Sequence, residues 1–143
     1  FKSLKVVKNI KDNNKIRNQL CHLIDWMPTC VELAGATYPD TFKGQSIQPM
    51  EGKSLVPTLT DQPLERGYVF WEHEGNRAVR DGRWKLVAKR TRDGLLPDWE
   101  LYDIEQDRSE SENLIGRQPE RAVKMIKAWN EYAKRTRVFP SPW

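Results

Sequence analysis

The stretch FWEHEGNRAVRDGRWKLVA, residues 70–88, decides the fold that the sequence predicts. Aromatic and β-branched residues favour strands. Residues 68–73 contain three aromatic residues and a valine, so we expect a strand there. Asp81-Gly82 favours a two-residue hairpin turn, which predicts strands at 78–80 and 83–88. Together these segments indicate an antiparallel hairpin arrangement.

The strand predicted at 83–88 has one apolar face. Trp84, Leu86 and Ala88 alternate with positions 85, 87 and 89, two of which are lysines. Such alternation is typical of an antiparallel sheet with one face on the core and the other towards solvent. A further short strand is expected at 99–103.

A long C-terminal helix is predicted at 119–136. Pro119 suits the first helical position and Glu120 the positive end of the helix dipole. Its buried stripe is expected to contain Ala122, Val123, Ile126, Trp129 and Ala133.

An earlier helix is predicted at 25–34, with Asp25 as its cap and Gly35 after its end. An apolar stripe at helical spacing suggests a core face, formed by Leu20, Leu23, Ile24, Met27, Val31 and Ala34. The Pro-rich segment 36–66 is expected to be irregular, with one helical turn near 54–59. The sequence therefore predicts an α+β fold. A small antiparallel sheet of about four strands packs against a long C-terminal helix, with a second helix near the N-terminus.

The net positive charge of the chain comes from its N-terminal end. Residues 1–20 hold six Lys or Arg against one Asp, whereas the remaining 123 residues hold 18 basic and 19 acidic groups. We therefore expect a basic arm at 1–19, with at most a short strand near 4–7, and a folded body at 20–143. A basic arm without a recognised motif does not indicate a nucleic-acid domain. No apolar run suits a membrane span or a signal peptide.

Catalytic motifs are not visible in this sequence. Cys21 and Cys30 are nine residues apart, about 13 Å along a helix and too far for a disulfide, so we expect free, mostly buried thiols. His22 is expected to be structural. No zinc spacing, phosphate-binding glycine loop or nucleophile elbow is present.

The densest group of polar side chains follows the strand at 68–73. It brings carboxylates, an imidazole, an amide and a guanidinium around a glycine: Glu72, His73, Glu74, Asn76 and Arg77. Such a loop can contact an anion or a sugar, because arginine offers a fixed fork of donors. The alternative is an ion-paired strand edge that deters strand addition. The residues alone leave both open.

Five segments, in order and spacing, resemble the C-terminal subdomain of the sulfatase family, with bacterial arylsulfatase-like enzymes as the nearest match. They are HLIDWMPTCVELAG (22–35), EGKSL (51–55), the stretch 70–86, ELYD with the acidic loop after it (100–114), and the terminal helix from 119. The resemblance covers about residues 10–140. It implies sulfate ester hydrolysis with a formylglycine nucleophile and a calcium ion, both held in an N-terminal catalytic domain.

The resemblance assigns none of these catalytic parts to this chain. Neither Cys21 nor Cys30 lies in a Cys/Ser-x-Pro-x-Arg maturation motif. We therefore expect an inactive subdomain, altered or truncated at residues 1–9, whose partner is a sulfatase catalytic domain. Its role would be to cover that domain and line the entrance for a sulfated small molecule or glycan, with Glu72, His73, Glu74, Asn76 and Arg77 at the rim. In isolation we expect self-association. A periplasmic or secreted location is typical of bacterial relatives. The alternative is a free-standing module that binds sulfated glycans.

Overall fold

The computed structural model describes residues 16–91, 93 and 98–139, and its fold is α+β as predicted. The chain forms two compact units, Phe1–Arg66 and Gly67–Trp143. The short strand expected near 4–7 lies outside the described residues. The boundary at residue 19, between a basic arm and a folded body, stays a prediction. Within the N-terminal unit, Arg17 Nε donates to the Thr58 carbonyl oxygen at 2.6 Å.

The N-terminal unit is made of short elements. A 3-10 turn, Leu23–Asp25, leads into helix α1, Trp26–Ala34, which ends at Gly35 in the left-handed conformation. After it come a small hairpin and one helical turn: strands β1 (Thr41–Phe42) and β2 (Gln45–Ser46), and helix α2 (Val56–Leu59). The helical turn was predicted from the sequence, whereas the hairpin was not.

The apolar stripe predicted around α1 is not a core face. Leu23 and Met27 expose 79% and 58% of their surface, and the side of α1 that is buried carries Pro28 and Thr29. Thr29 is hydrogen-bonded within the unit on that buried side, and Leu23, Ile24 and Met27 of the stripe lie outside. The expectation of buried thiols was also wrong, since Cys21 and Cys30 are both exposed.

The buried side of this region is organised around Asp25. Its carboxylate is fully buried and accepts the backbone N–H groups of His22 and Lys53 at 2.7 and 2.9 Å. Arg66 donates two further hydrogen bonds to it, at 2.6 and 2.9 Å. Burial alone would raise the pKa of Asp25, but Arg66 and the two N–H donors together lower it. Asp25 occupies the N-cap position of α1, as predicted, but its side chain makes no capping hydrogen bond to that helix.

Thr29 and Gly52 complete this buried cluster. Thr29 Oγ1 donates to the Asp25 carbonyl oxygen at 2.6 Å and accepts the Leu55 N–H at 2.9 Å. A Cβ atom on Gly52 would lie 2.0 Å from the Ile24 carbonyl oxygen, so only glycine permits the approach of the two backbones. The segments 22–35 and 51–55 that carry the sulfatase resemblance therefore bind each other.

The C-terminal unit contains the predicted sheet and long helix. Four antiparallel strands lie in chain order and helix α3 follows them: β3 (Val69–His73), β4 (Asn76–Asp81), β5 (Trp84–Ala88), β6 (Glu100–Asp103) and α3 (Pro119–Arg135). Asp81 pairs with Trp84, so the turn between β4 and β5 is Gly82-Arg83, one residue later than expected. Gly82 takes the first turn position because its φ is 55°.

The core of this unit lies between the sheet and α3. Val79, Leu86 and Leu101 are register partners across three strands and are all fully buried. They belong to one cluster with four residues of α3: Ala122, Met125, Trp129 and Ala133. Val123 was expected in this stripe but is 64% exposed. Ala122, Met125, Trp129 and Ala133 are spaced by three, four and four residues, so they share one helix face. Val123 lies beside that face.

Candidate functional site

The turn between β3 and β4 carries the polar residues singled out in the sequence. Glu74 and Gly75 form its two central positions, with φ angles of 52° and 84°. Positive φ at both positions is the geometry that matches the twist of a tight hairpin. Glu72 Oε1 accepts the Gly75 N–H at 2.9 Å, so this carboxylate stabilises the turn.

Asn76 also bonds within this region. Its Nδ2 donates to the His73 carbonyl oxygen at 2.9 Å, and its Oδ1 accepts the Arg90 N–H at 3.1 Å. One amide group therefore ties the turn to the chain that leaves β5. Glu72 and Asn76 shape the turn, and His73, Glu74 and Asn76 are all exposed.

Arg77 lies apart from this exposed surface. Its guanidinium carbon is 4.5 Å from the ring centre of Trp99 and 5.3 Å from that of Trp129, on the helix side of the sheet. Burial lowers the pKa of Arg77. The structure therefore brings Glu72, His73, Glu74 and Asn76 together at one turn and places Arg77 in an aromatic cation–π arrangement.

Arg90 also contacts this turn, which was not predicted from the sequence. A Cβ atom on Gly75 would lie 2.7 Å from the Arg90 Cδ, which shows that the aliphatic part of Arg90 lies against the bare glycine backbone. The only available signal was the glycine itself, since nothing in the sequence between 75 and 90 indicates this contact.

The other candidate groups are His22 and the metal-ligating side chains. His22 Nδ1 accepts the Ile24 N–H at 3.3 Å and belongs to a capping box, so it is structural as expected. Among residues 16–91, 93 and 98–139, no three His, Cys, Asp or Glu side chains are placed to hold a metal ion. The same residues include no helix suited to crossing a membrane.

A four-stranded antiparallel sheet with a long C-terminal helix packed on one face defines an α+β domain. The chain belongs to the family described as N-sulphoglucosamine sulphohydrolase, C-terminal, whose model matches residues 3–135. The resemblance to the sulfatase C-terminal subdomain is thereby confirmed.

Individual relatives agree with this assignment. An uncharacterised sulfatase of Schizosaccharomyces pombe is 31% identical over 131 residues, which cover 89% of this chain and 24% of that protein. Arylsulfatase K of Xenopus laevis is 30% identical over 112 residues, covering 73% of this chain and 20% of that protein. The chain thus spans about a quarter of the length of the first relative.

A solved structure shares the fold. It is described as BT4656 in complex with its substrate D-glucosamine-2-N,6-O-disulfate, and it matches with a TM-score of 0.56 and 21% identity. The match covers 81% of this chain and 24% of that chain.

Proposed function

We propose that this chain covers a sulfatase catalytic domain and lines the entrance to its active site. The observation that carries the proposal is the exposed apolar segment at residues 23–27. Leu23, Trp26 and Met27 expose 79%, 63% and 58% of their surface, and Ile24 exposes 44%. Contiguous exposed apolar side chains mark an interaction surface.

The buried Asp25 cluster explains why this segment is presented outwards. Asp25 and Thr29 hold the start of α1 in place through hydrogen bonds to Lys53, Leu55 and Arg66. The polar side of the segment is thereby satisfied within the unit, and the apolar side is left for a partner. Relatives about four times as long as this chain support a catalytic domain as that partner.

The catalytic groups belong to that partner in this proposal. Neither cysteine of this chain precedes the x-Pro-x-Arg sequence required for formylglycine. The described residues do not fit a calcium site, because they contain no cluster of metal-ligating side chains. The chain's own contribution is shape and contact, since it presents His73 and Glu74 on a rigid turn shaped by Glu72 and Asn76.

A sulfated sugar or aryl sulfate is the substrate class we propose for the whole enzyme. The family description and the disulfated sugar named for the solved relative support this class. Of the five expected rim residues, His73, Glu74 and Asn76 are exposed, and the Asn76 amide is already hydrogen-bonded to the turn and to Arg90. His73 and Glu74 are therefore the best placed to contact the substrate. Arg77 contributes indirectly, by holding β4 against the aromatic core.

An assay of sulfate release tests whether the catalytic groups belong to the partner domain. With an aryl sulfate and calcium, the purified 143-residue chain is expected to release no sulfate above the blank, because it lacks the nucleophile. A complete arylsulfatase provides the positive control. Release that disappears on His73→Ala substitution would contradict the proposal, because the chain would then carry its own catalytic centre.

A further inference from the structure

Arg90 follows β5 and packs its side chain against Gly75 of the β3–β4 turn. We infer that its guanidinium is the group of this turn that binds the sulfate of a sulfated sugar. The inference rests on the proposed function and deepens it by naming the residue that recognises the anion.

The backbone of the turn is arranged to hold the Arg90 side chain. Gly75 leaves open the space that a Cβ would fill, and Cδ, Cγ and Cβ of Arg90 lie 2.7, 3.4 and 3.5 Å from that position. Asn76 Oδ1 fixes the start of the residue through the Arg90 N–H. The aliphatic stem of Arg90 therefore packs against the backbone of the turn.

The Arg90 guanidinium is available for an external anion. The ion pairs found in the described part of the chain use other cations: Arg17, Arg66, Arg83, Lys85, Arg117 and Lys127. Within residues 16–91, 93 and 98–139, no carboxylate lies at ion-pair distance from Arg90. The nearby Glu72 carboxylate accepts the Gly75 N–H.

The chemistry of arginine fits a sulfate ester. The ester carries its negative charge over several oxygens, and the planar fork of N–H donors can contact two of them at once. An arginine whose stem is already ordered loses less conformational entropy on binding. The exposed His73 and Glu74 on the same turn can then contact the sugar hydroxyl groups.

A nuclear magnetic resonance titration of the ¹⁵N-labelled full chain tests the inference. D-glucosamine-2-N,6-O-disulfate is expected to shift the amide signals of Gly75, Asn76 and Arg90, whereas unsulfated N-acetylglucosamine is not. Arg90→Ala is expected to weaken binding about tenfold, as for the loss of a charged hydrogen bond. Arg90→Lys should fall between the two, because it keeps the charge but loses the fork.

The controls separate this inference from its alternatives. Arg108→Ala removes an exposed arginine elsewhere in the same unit and is expected to leave binding unchanged. Disulfate binding that Arg90→Ala leaves intact, or no shift at these amides in the unaltered chain, would overturn the inference. Inorganic sulfate that binds as tightly as the sugar would overturn the assignment to a sulfated sugar. None of these outcomes bears on the proposed docking of segment 23–27, which is measured by self-association.

Discussion

Asp25→Asn is expected to lower the free energy of unfolding of the N-terminal unit by about 3–5 kcal/mol, the usual effect of breaking a buried ion pair. Asp25 is fully buried and the side chain of Arg66 is 9% exposed, so the arginine would be left without its counter-charge in a site closed to water. The asparagine amide would also direct N–H groups towards another donor.

Hydrogen exchange at the Lys53 and Leu55 amides measures this loss locally. The Lys53 N–H bonds to Asp25, and the Leu55 N–H bonds to Thr29 in the same cluster. Asp61→Asn is the matched control, because Asp61 is 55% exposed and pairs with Arg17 at 3.5 Å; it should cost less than about 1 kcal/mol. Equal exchange rates in the two variants would contradict the structural role of Asp25.

The same cluster predicts the direction of the acid response. Because the folded pKa of Asp25 lies below its ordinary value, its contribution is present above the unfolded pKa of about 3.9. That contribution is lost as the pH falls through the folded pKa. Asp25→Asn should therefore weaken the acid dependence of Lys53 amide exchange, and an unchanged dependence would contradict this assignment.

Trp129→Ala is expected to destabilise the C-terminal unit by about 3–5 kcal/mol. Trp129 is fully buried, and its ring packs 5.6 Å from that of Trp99 and 5.9 Å from that of Phe139. Its loss leaves a cavity under the sheet and removes one of the two rings that contact Arg77.

Urea unfolding followed by circular dichroism measures this effect. Val123→Ala on the same helix is the control, since Val123 is 64% exposed and surface substitutions usually change stability by about 0.5 kcal/mol or less. A Trp129→Ala midpoint close to that of Val123→Ala would show that α3 does not anchor the sheet.

The sheet and the long helix could be predicted because their signals are local. Strand alternation at Trp84, Leu86 and Ala88 depends only on neighbouring residues, and the helix at Pro119 carries its own start signal. The turn after β4 was placed one residue early because Asp81-Gly82 and Gly82-Arg83 both supply a glycine. Only the pairing of Asp81 with Trp84 decides between them.

The N-terminal unit was harder to predict because its stability comes from contacts distant in sequence. Asp25 bonds to Arg66, 41 residues away, and no local pattern indicates that pairing. From helical periodicity alone, the apolar stripe around α1 was therefore predicted to face a core. The polar turn was located correctly, but Arg90 was overlooked because its contact with Gly75 depends on the register of β4 and β5.

Sedimentation of the isolated chain over a range of concentrations tests the central claim, that segment 23–27 is made to be covered by a larger domain. We expect reversible self-association and binding of a hydrophobic dye, because Trp26 and Met27 face water without that domain. Two-fold dimers are the commonest outcome of such association. The double variant Trp26→Ser with Met27→Ser should remain monomeric, whereas Val123→Ser should associate like the unaltered chain. A monodisperse monomer that binds no dye would contradict the claim and favour a free-standing module for sulfated glycans.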